Sequence, residues 1–237
     1  MPDPPKLIPR EPDPSPPPWA IDPEGLLESQ PGKIRVAITG GIASGKSTVM
    51  AVLSILDAQV IDFDVICHQA YDPVDPTYNQ ILELFGSKAL DKNGSLDRSA
   101  IAKLIFKDAQ KKAALEAILH PYAWNNMLLL LKRFQDFQLI AIDIPLLYEA
   151  NLASLFYPVA LIFVSPESQI QRLLARNPKS NRRDAEKILK NQLPIVDKVR
   201  RADYVLNNEG SIRDLIYQSK ELFTWLKNLV PKKPTRR

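Results

Sequence analysis

The sequence has few features of an exported or membrane-inserted protein. Its 237 residues include one cysteine, Cys67, so no disulfide can form within the chain. No apolar run reaches the ~18 residues of a membrane span, and the first residues lack the apolar core of a secretory signal. They also contain too many acids for a typical transit peptide, namely Asp3, Glu11, Asp13, Asp22 and Glu24. We therefore expect a protein of the reducing cytoplasm.

The composition is that of a globular chain with an excess of positive charge. Apolar residues make up 45% and charged residues 24% of the sequence, and a chain of this length can bury a core without disulfides or metals. The net charge is +4, which favours an anionic partner. Nucleic acid, a membrane surface and a phosphorylated metabolite all fit, and composition does not choose among them.

Proline is concentrated at the N-terminal end. Eleven of the 21 prolines lie in residues 1–31, and three are consecutive at Pro16–Pro18. Because proline lacks a backbone donor, we predict an extended, mobile arm over residues 1–32, with a docking role as the alternative. Residues 230–237 form a basic segment that we predict to be a solvated tail.

Between these ends, residues 33–229 show alternating strand and helix patterns. Short apolar runs predict buried strands at Ile34–Thr39, Gln59–Ile61, Leu139–Ile144, Val159–Val164 and Tyr204–Leu206. Strands separated by helices predict an α/β fold with a parallel sheet and right-handed crossovers. Helix starts are predicted at Asp75-Pro76, Asp97, Ser165-Pro166 and Ser211 with Asp214.

The region from about 65 to 137 differs from the rest of the pattern. It is mostly helical and too long for one crossover between strands. We predict an insertion that packs on the sheet.

A phosphate-binding loop is the strongest motif. The run from Gly40 to Thr48 reads GGIASGKST and satisfies G-x-x-x-x-G-K-[ST] between a predicted strand and a predicted helix. Its backbone N–H groups and the N-terminal end of the helix favour phosphate, Lys46 can reach the β- and γ-phosphates, and the Ser47 hydroxyl can bind Mg²⁺. The motif indicates nucleoside triphosphate binding, while water, protein and small-molecule acceptors remain open.

Three acidic residues follow predicted strands. Asp62 and Asp64 lie at the end of the second strand, where they would share one face if the strand continued through Asp64. They are candidates for a proton acceptor or a Mg²⁺ partner, and helix capping is the alternative. Asp143 follows apolar residues as in a Walker B segment, which makes it a candidate Mg²⁺ partner or a capping residue.

A basic segment extends over about residues 172–201. From Arg176 onward it has nine basic residues and three acidic ones. Arginines on a mobile helical segment could close over ATP and neutralise phosphoryl charge, although a solvated helix face is the alternative for most of them. Arg172 and Arg176 are four residues apart and should share a helix face, so they are the better candidates.

In order along the chain, these motifs resemble the dephospho-coenzyme A kinase family. The resemblance covers about Ile34 to Leu226 and rests on TGGIASGKST (39–48), IDFD (61–64), LDR (96–98), LEAILHP (115–121), IPLLYE (144–149), QIQRL (169–173) and ADYVLNN (202–208). It implies a three-layer P-loop kinase fold with a five-stranded parallel sheet, a helical CoA-binding insertion and a basic lid.

The resemblance also implies a reaction and residue roles. It implies transfer of the ATP γ-phosphoryl to the 3′-hydroxyl of dephospho-CoA, the last step of CoA synthesis, with Mg²⁺. Asp64 matches the proposed catalytic base, Lys46 the phosphate lysine and Arg172 a lid arginine. The remaining expected contacts are, for ATP, Gly41, Ile42, Ala43, Ser44, Gly45, Ser47, Thr48 and Arg176; for Mg²⁺, Ser47 and Asp143; and for the acceptor, Asp62, Arg98, His120, Pro145 and Glu149.

Some positions depart from the family pattern or allow another interpretation. Ala43 replaces a common glycine and is tolerable if it avoids positive φ. Phe63 replaces a small residue and should face away from the site if Asp62 and Asp64 face toward it. His120, beside Pro121 near an expected helix break, is either a structural hydrogen-bonding residue or an acceptor contact.

Competing functions are a kinase for a nucleoside or nucleotide, a nucleotide-driven switch and a nucleic-acid-binding ATPase. A GTPase should contain N-K-x-D, which this sequence lacks. A nucleic-acid-binding ATPase would use the basic segment and should bind in a salt-sensitive way. We expect a monomer whose partners are ATP and dephospho-CoA, without nucleic acid or membrane.

Overall fold

The computed structural model describes residues 10–28, 32–178 and 180–229, with Lys107 described by its backbone alone. The described part divides into two compact units, one within residues 1–61 and 131–237 and the other at 62–130. None of the helices in these ranges is long and apolar enough to cross a membrane.

A parallel sheet organises the first unit. Its strands are ordered β2-β3-β1-β4-β5, which places β1 at the centre. Ala37 of β1 aligns with Ile142 on one side and Val159 on the other. The strands are β1 (Ile34–Gly40), β2 (Gln59–Asp62), β3 (Leu139–Asp143), β4 (Val159–Phe163) and β5 (Tyr204–Asn207). All five predicted strands are therefore present, with ends that differ from the predictions by one residue or less.

Helices cover the sheet and form its core with it. The first unit contains α1 (Lys46–Ile55), α6 (Pro166–Arg176), α7 (Arg182–Lys190), α8 (Ile195–Val199) and α9 (Ile212–Leu229). Apolar side chains of α1 and α9 pack with those of the sheet in one buried cluster that includes Val36, Ile38, Leu53 and Leu222. Every residue of β1 is buried, so the loop that follows this strand starts from a rigid base.

The predicted helix starts are confirmed, and each has a local physical cause. Asp75, Asp97 and Ser165 accept backbone N–H groups and so cap the helices that begin at Pro76, Arg98 and Pro166. Ser211 and Asp214 bond reciprocally at the start of α9, where the Asp214 N–H donates to the Ser211 hydroxyl.

The second unit is helical and has its own core. It contains α2 (Phe63–Gln69), α3 (Pro76–Phe85), α4 (Arg98–Lys107) and most of α5 (Ala109–Arg133). Tyr78, Ile81, Phe85 and Ile101 are among the residues that pack in its apolar cluster. This unit spans residues 62–130, whereas the predicted insertion spans about 65–137.

Proline-rich residues 10–28 differ from the predicted mobile arm. Ala20 and Leu27 are buried, and the Asp22 carboxylate accepts the N–H groups of Leu26 and Leu27. Arg10 and Asp13 make ion pairs within the first unit. Packed apolar side chains and ion pairs, which periodicity does not reveal, hold this part against the first unit, and the mobility of the arm stays a prediction. The rest of the predicted arm and the tail at 230–237 mostly lie outside the described residues.

Candidate active site

The phosphate loop connects β1 to α1 and requires glycine where it approaches β5. Gly45 has φ +95°, in the left-handed region that favours glycine. A Cβ at Gly45 would also lie 2.5 Å from Nδ2 of Asn208. A larger residue at this position would therefore strain the backbone and displace the side chain behind the loop.

Ala43 does not follow the expectation for its backbone. The residue is buried and has φ +58°, so the condition under which alanine is easily tolerated at this position is not met. The loop keeps the turn that the glycine of the family pattern would make, and alanine adopts it at a steric cost. The phosphate loop therefore keeps its backbone path even where the residue is not glycine.

Donors from elsewhere in the first unit hold the carbonyl groups of the loop. Asn208, just after β5, donates from Nδ2 to the Ser44 carbonyl at 2.8 Å. Arg172 on α6 donates to the Ala43 carbonyl at 3.3 Å and to the Asn208 carbonyl at 2.6 Å. Because the N–H and C=O of a trans peptide point in opposite directions, holding the Ser44 carbonyl turns the Gly45 N–H away from Asn208. These contacts fix the loop in a shape that presents backbone donors.

The charged and hydroxyl groups predicted for phosphate and metal lie at the same edge of the sheet. Lys46 and Ser47 are the first two residues of α1, and the Lys46 ammonium is 3.5 Å from the Gly40 carbonyl. Asp143, the last residue of β3, is 8% exposed and aligns with Ile38 of β1. Parallel strands end on the same side, so the Asp143 carboxylate lies at the edge from which the loop leaves β1.

Pro145 and Arg176 have different positions around this edge. The Thr39 hydroxyl at the end of β1 lies 3.4 Å from the Pro145 carbonyl. Arg172 and Arg176 both lie on α6, but Arg176 is its exposed last residue while Arg172 is half-buried against the loop. Only Arg172 of this pair has a described contact with the loop.

Gln192 contacts the loop and was missed by the sequence analysis. Its Oε1 accepts the Ile42 N–H at 3.1 Å. A cavity of about 370 Å³ adjoins the contact, lined by residues that include Gly41, Gln169 and Gln192. No local motif surrounds Gln192. It lies within the basic segment of about 172–201, whose composition points to arginines rather than to a glutamine.

Glu149 forms a buried ion pair beside this segment. Its Oε1 lies 2.6 Å from Nζ of Lys198 on α8 and accepts the Leu193 N–H at 2.9 Å. The Lys198 side chain is completely buried, and this burial lowers the pKa of its ammonium despite Glu149, with the charge of Lys46 lowering it further. The structure thus links Glu149, predicted as an acceptor contact, to the segment that carries Gln192.

In the second unit, Asp62 and Asp64 lie at a helix start. The strand β2 ends at Asp62 and α2 begins at Phe63, so the strand does not continue through Asp64 and the two side chains do not share a strand face. Asp62 caps α2, because its carboxylate accepts the Val65 N–H at 3.0 Å. Asp64 is exposed in the first turn, while Phe63 is buried as expected.

An electrostatic cluster surrounds these aspartates within the second unit. Burial chiefly raises the pKa of the Cys67 thiol to about 12, with smaller upward effects from Asp64 and Asp62 and a downward effect from Arg98. The pKa of His68 is lowered, first by desolvation and then by Arg98. The Arg98 guanidinium also lies 5.6 Å from the centre of the Tyr71 ring. Arg98, which the sequence predicts as an acceptor contact, is therefore an electrostatic neighbour of the same residues as the two aspartates. His68 and Tyr71 belong to the same cluster.

His120 has other charged neighbours. It is half-buried on α5, where burial lowers its pKa while nearby Glu116 raises it and Lys112 lowers it. The expected helix break is absent, since Pro121 lies inside α5. These neighbours do not include the aspartates of α2.

Comparison with known proteins decides the family. The family model described as "CoaE: Dephospho-CoA kinase" matches residues 34–214. The chain belongs to the dephospho-CoA kinase family. The match starts at the first residue of β1 and ends within α9, so it includes the sheet, the phosphate loop and the helical unit.

Individual dephospho-CoA kinases agree with this assignment. The chain is 38% identical over 181 residues to the Bacillus cereus (strain ATCC 10987 / NRS 248) dephospho-CoA kinase, covering 76% of this chain and 90% of that one. It is 31% identical over 200 residues to the Listeria monocytogenes enzyme, with coverage of 84% and 98%. These matches span nearly the whole length of both relatives.

Solved structures support the fold. The crystal structure of TT1252 from Thermus thermophilus has a TM-score of 0.71 and 32% identity, with coverage of 82% of this chain and 98% of that chain. Dephospho-CoA kinase from Campylobacter jejuni has a TM-score of 0.62 and 23% identity over 82% of this chain and 97% of its own. The predicted P-loop kinase fold, the family and the ATP-dependent kinase activity on dephospho-CoA are confirmed.

Proposed function

We propose that this dephospho-CoA kinase transfers the ATP γ-phosphoryl to the 3′-hydroxyl of dephospho-CoA by using the two units for different tasks. The phosphate loop and α1 bind ATP, and side chains of the helical unit prepare the acceptor hydroxyl. Two observations support this proposal. Arg172 and Asn208 hold the carbonyl groups of the phosphate loop, and the family model matches the residues that form the loop and the sheet. The cytoplasmic location and the monomeric state stay predictions.

Lys46 and the backbone of Gly41–Thr48 are the proposed ATP contacts. The start of α1 carries partial positive charge from its unpaired N–H groups, and the Lys46 ammonium adds a full charge. Phosphoryl transfer depends mainly on positioning and charge stabilisation. These groups would therefore bind the phosphates and stabilise charge during transfer.

The donor set also fits Mg²⁺. The described residues hold no group of three or more His, Cys, Asp or Glu side chains suited to a metal. Mg²⁺ in such enzymes typically keeps several waters and uses one or two protein oxygens together with phosphates. The Ser47 hydroxyl and the Asp143 carboxylate are the proposed protein oxygens. When bound, Mg²⁺ would neutralise phosphate charge.

Asp64 is the proposed base for the acceptor hydroxyl. Its carboxylate is exposed in the first turn of α2, and Asp62 caps the same turn. An exposed carboxylate on a fixed helix start can orient a hydroxyl and accept its proton, even when proton transfer is late. Arg98 is the proposed cation for the acceptor's anionic groups, while His120, Pro145 and Glu149 stay predicted contacts.

Arg172 and Arg176 have different proposed roles. Arg172 acts by fixing the loop through the Ala43 and Asn208 carbonyls. Arg176 is exposed at the end of α6 and is available for ATP. We retain the basic segment of about 172–201 as a lid that would exclude water and limit ATP hydrolysis.

The testing experiment incubates the purified full chain with ATP, Mg²⁺ and dephospho-CoA and determines product mass and phosphate position. We expect coenzyme A with a 3′-phosphate, and loss of the product in Lys46→Ala. A folded wild-type chain that phosphorylates a nucleoside or nucleotide but not dephospho-CoA would overturn the acceptor assignment. Normal kinetics in Lys46→Ala would overturn the role of the loop.

A further inference from the structure

Two charged residues of the N-terminal segment, residues 10–28, have largely covered side chains although they precede the family match. The match begins at residue 34. The side chains of Arg10 and Asp13 are 18% and 3% exposed and form an ion pair with each other. Charged side chains are rarely buried unless they are paired, so these two belong to a fixed contact within the first unit.

Arg10 attaches the segment to the start of β4 and β5. Its guanidinium donates to the Phe156 carbonyl at 3.1 Å, to the Ala153 carbonyl at 2.5 Å and to the Asp203 carboxylate at 3.2 Å. The same Asp203 oxygen accepts the Val159 N–H at 2.7 Å. Arg10 is therefore fixed by several acceptors that lie just before these two strands.

Asp13 attaches the segment to the residues that follow α8. Its carboxylate accepts from Nε of Arg201 at 2.7 Å and pairs with a second Arg201 nitrogen at 2.5 Å. The Glu11 N–H donates to the Arg200 carbonyl at 3.3 Å. The Arg201 guanidinium also lies 4.6 Å from the centre of the Tyr148 ring. Arg201 is thus held between Asp13 and an aromatic ring.

Residues 192–201, which end at Arg201, contact the phosphate loop at their other end. Gln192 accepts the Ile42 N–H, and its neighbour Leu193 donates to Glu149, which pairs with Lys198 of α8. Residues 192–201 are consequently fixed to the loop at one end and to residues 10–13 at the other. A release at Arg201 would loosen α8 and, through it, the Gln192 contact.

We propose that Arg10 and Asp13 are positioning residues for ATP binding, which act by fixing Arg201 and thereby α8 and Gln192 against the phosphate loop. Residues 10–13 then contribute to the nucleotide site through Arg201, although no described contact joins them directly to the loop. Positioning of this kind changes how tightly ATP binds more than how fast a bound ATP reacts. The proposal adds to the proposed function and does not depend on the identity of the acceptor.

The test compares Asp13→Ala with wild type in the full chain by hydrogen–deuterium exchange and steady-state kinetics. We expect exchange at residues 195–201 to rise roughly tenfold, as for the loss of one hydrogen bond to a charged group. The KM for ATP should rise about three- to tenfold while kcat stays within about twofold. Direct titration with ATP, without acceptor, should show the same weakening.

Glu24→Gln is the matched control. It removes a contact of the same segment, the exposed ion pair at 2.9 Å between Glu24 and Lys132, a residue in the last turn of α5 rather than of α8. We expect exchange at 195–201 and the KM for ATP to stay within about twofold of wild type. Asp13→Glu, which keeps the charge, should restore part of the ATP affinity.

Several outcomes would overturn the proposal. Unchanged exchange at 195–201 in folded Asp13→Ala would do so, as would an increase spread equally over β5 and α9. A lower kcat with an unchanged KM would show a loss of folded enzyme rather than of positioning. If Asp13→Ala does not fold, Asp13→Asn keeps an acceptor oxygen for Arg201 and is tested by the same criteria.

Discussion

The two units hold their functional residues in opposite ways. In the first, the phosphate loop is fixed from behind by Arg172 and Asn208, and a buried Glu149–Lys198 pair lies beside the segment that touches it. In the second, Asp64 and Arg98 are exposed on a helical unit. A phosphate cradle made of backbone depends on rigid support, whereas the proposed acceptor contacts Asp64 and Arg98 are exposed side chains in the first turns of helices. Loss of a buried support in the first unit, such as Glu149, should therefore lower stability most, whereas loss of the exposed Asp64 in the second should lower turnover most.

The largest effect is expected for Asp64→Asn. Turnover should fall by about 10²–10⁴ if the carboxylate is the base, while the free energy of unfolding should change by less than about 0.5 kcal/mol because the side chain is exposed. Steady-state kinetics and urea unfolding measure the two quantities. Glu83→Gln, at an exposed position of α3, is the control and should leave both unchanged. Near-normal turnover of folded Asp64→Asn would remove the base.

Glu149→Gln should show the opposite behaviour. It leaves the buried Lys198 ammonium without its charged partner, so the free energy of unfolding should fall by about 3 kcal/mol. The double variant Glu149→Leu with Lys198→Met should recover much of it. Glu116→Gln removes an exposed pair with Lys112 and should cost less than about 1 kcal/mol. Urea unfolding measures these free energies. Equal losses in Glu149→Gln and Glu116→Gln would show that the buried ion pair of the first unit supports the fold no more than an exposed pair of the second.

Ala43→Gly tests the strain in the loop. Relief of the left-handed φ at Ala43 should raise the free energy of unfolding by about 1 kcal/mol or less, since the freer glycine in the unfolded chain offsets part of the gain. Ala102→Gly, in an exposed turn of α4, should instead lower it by about 1 kcal/mol. Thermal and urea unfolding measure both variants. Destabilisation by both would show that Ala43 is not strained.

His120 gives the smallest expected effect, which depends on pH. Burial lowers the pKa of His120 from its ordinary value of 6.5, so the unfolded chain binds a proton first as the pH falls. The stability from neutral His120 is therefore complete above about pH 6.5 and is lost as the pH decreases toward the folded pKa. Urea unfolding at about pH 7.5 and about pH 5.5 should show a smaller loss in His120→Gln than in wild type. Equal losses would show that His120 is not desolvated.

The sequence predicts the sheet and the phosphate loop well because their signals are local. The strands are short buried runs, and Gly40 to Thr48 carries its backbone path in adjacent residues. Helix starts at Asp75, Asp97 and Ser165 are equally local, since each cap bonds within three residues of itself.

Tertiary partners could not be predicted in this way. Asn208 contacts Ser44 from 164 positions away, and Gln192 contacts Ile42 from 150 positions away. The contacts of the arm could not be predicted for the same reason, because the partners of Arg10 and Asp13 lie within residues 153–203. Asp62 and Asp64 do not share a strand face, because the strand ends at Asp62, which caps the helix that begins at Phe63.

The contact between Asn208 and the Ser44 carbonyl has a consequence for synthesis on the ribosome. The loop is translated early, but the side chain that supports it follows the last strand of the sheet. A nascent chain that ends before residue 208 can form β1 and α1 yet lacks this support for the cradle between them. Nucleotide binding should therefore arise late in translation, when nearly all of the catalytic fold has left the exit tunnel.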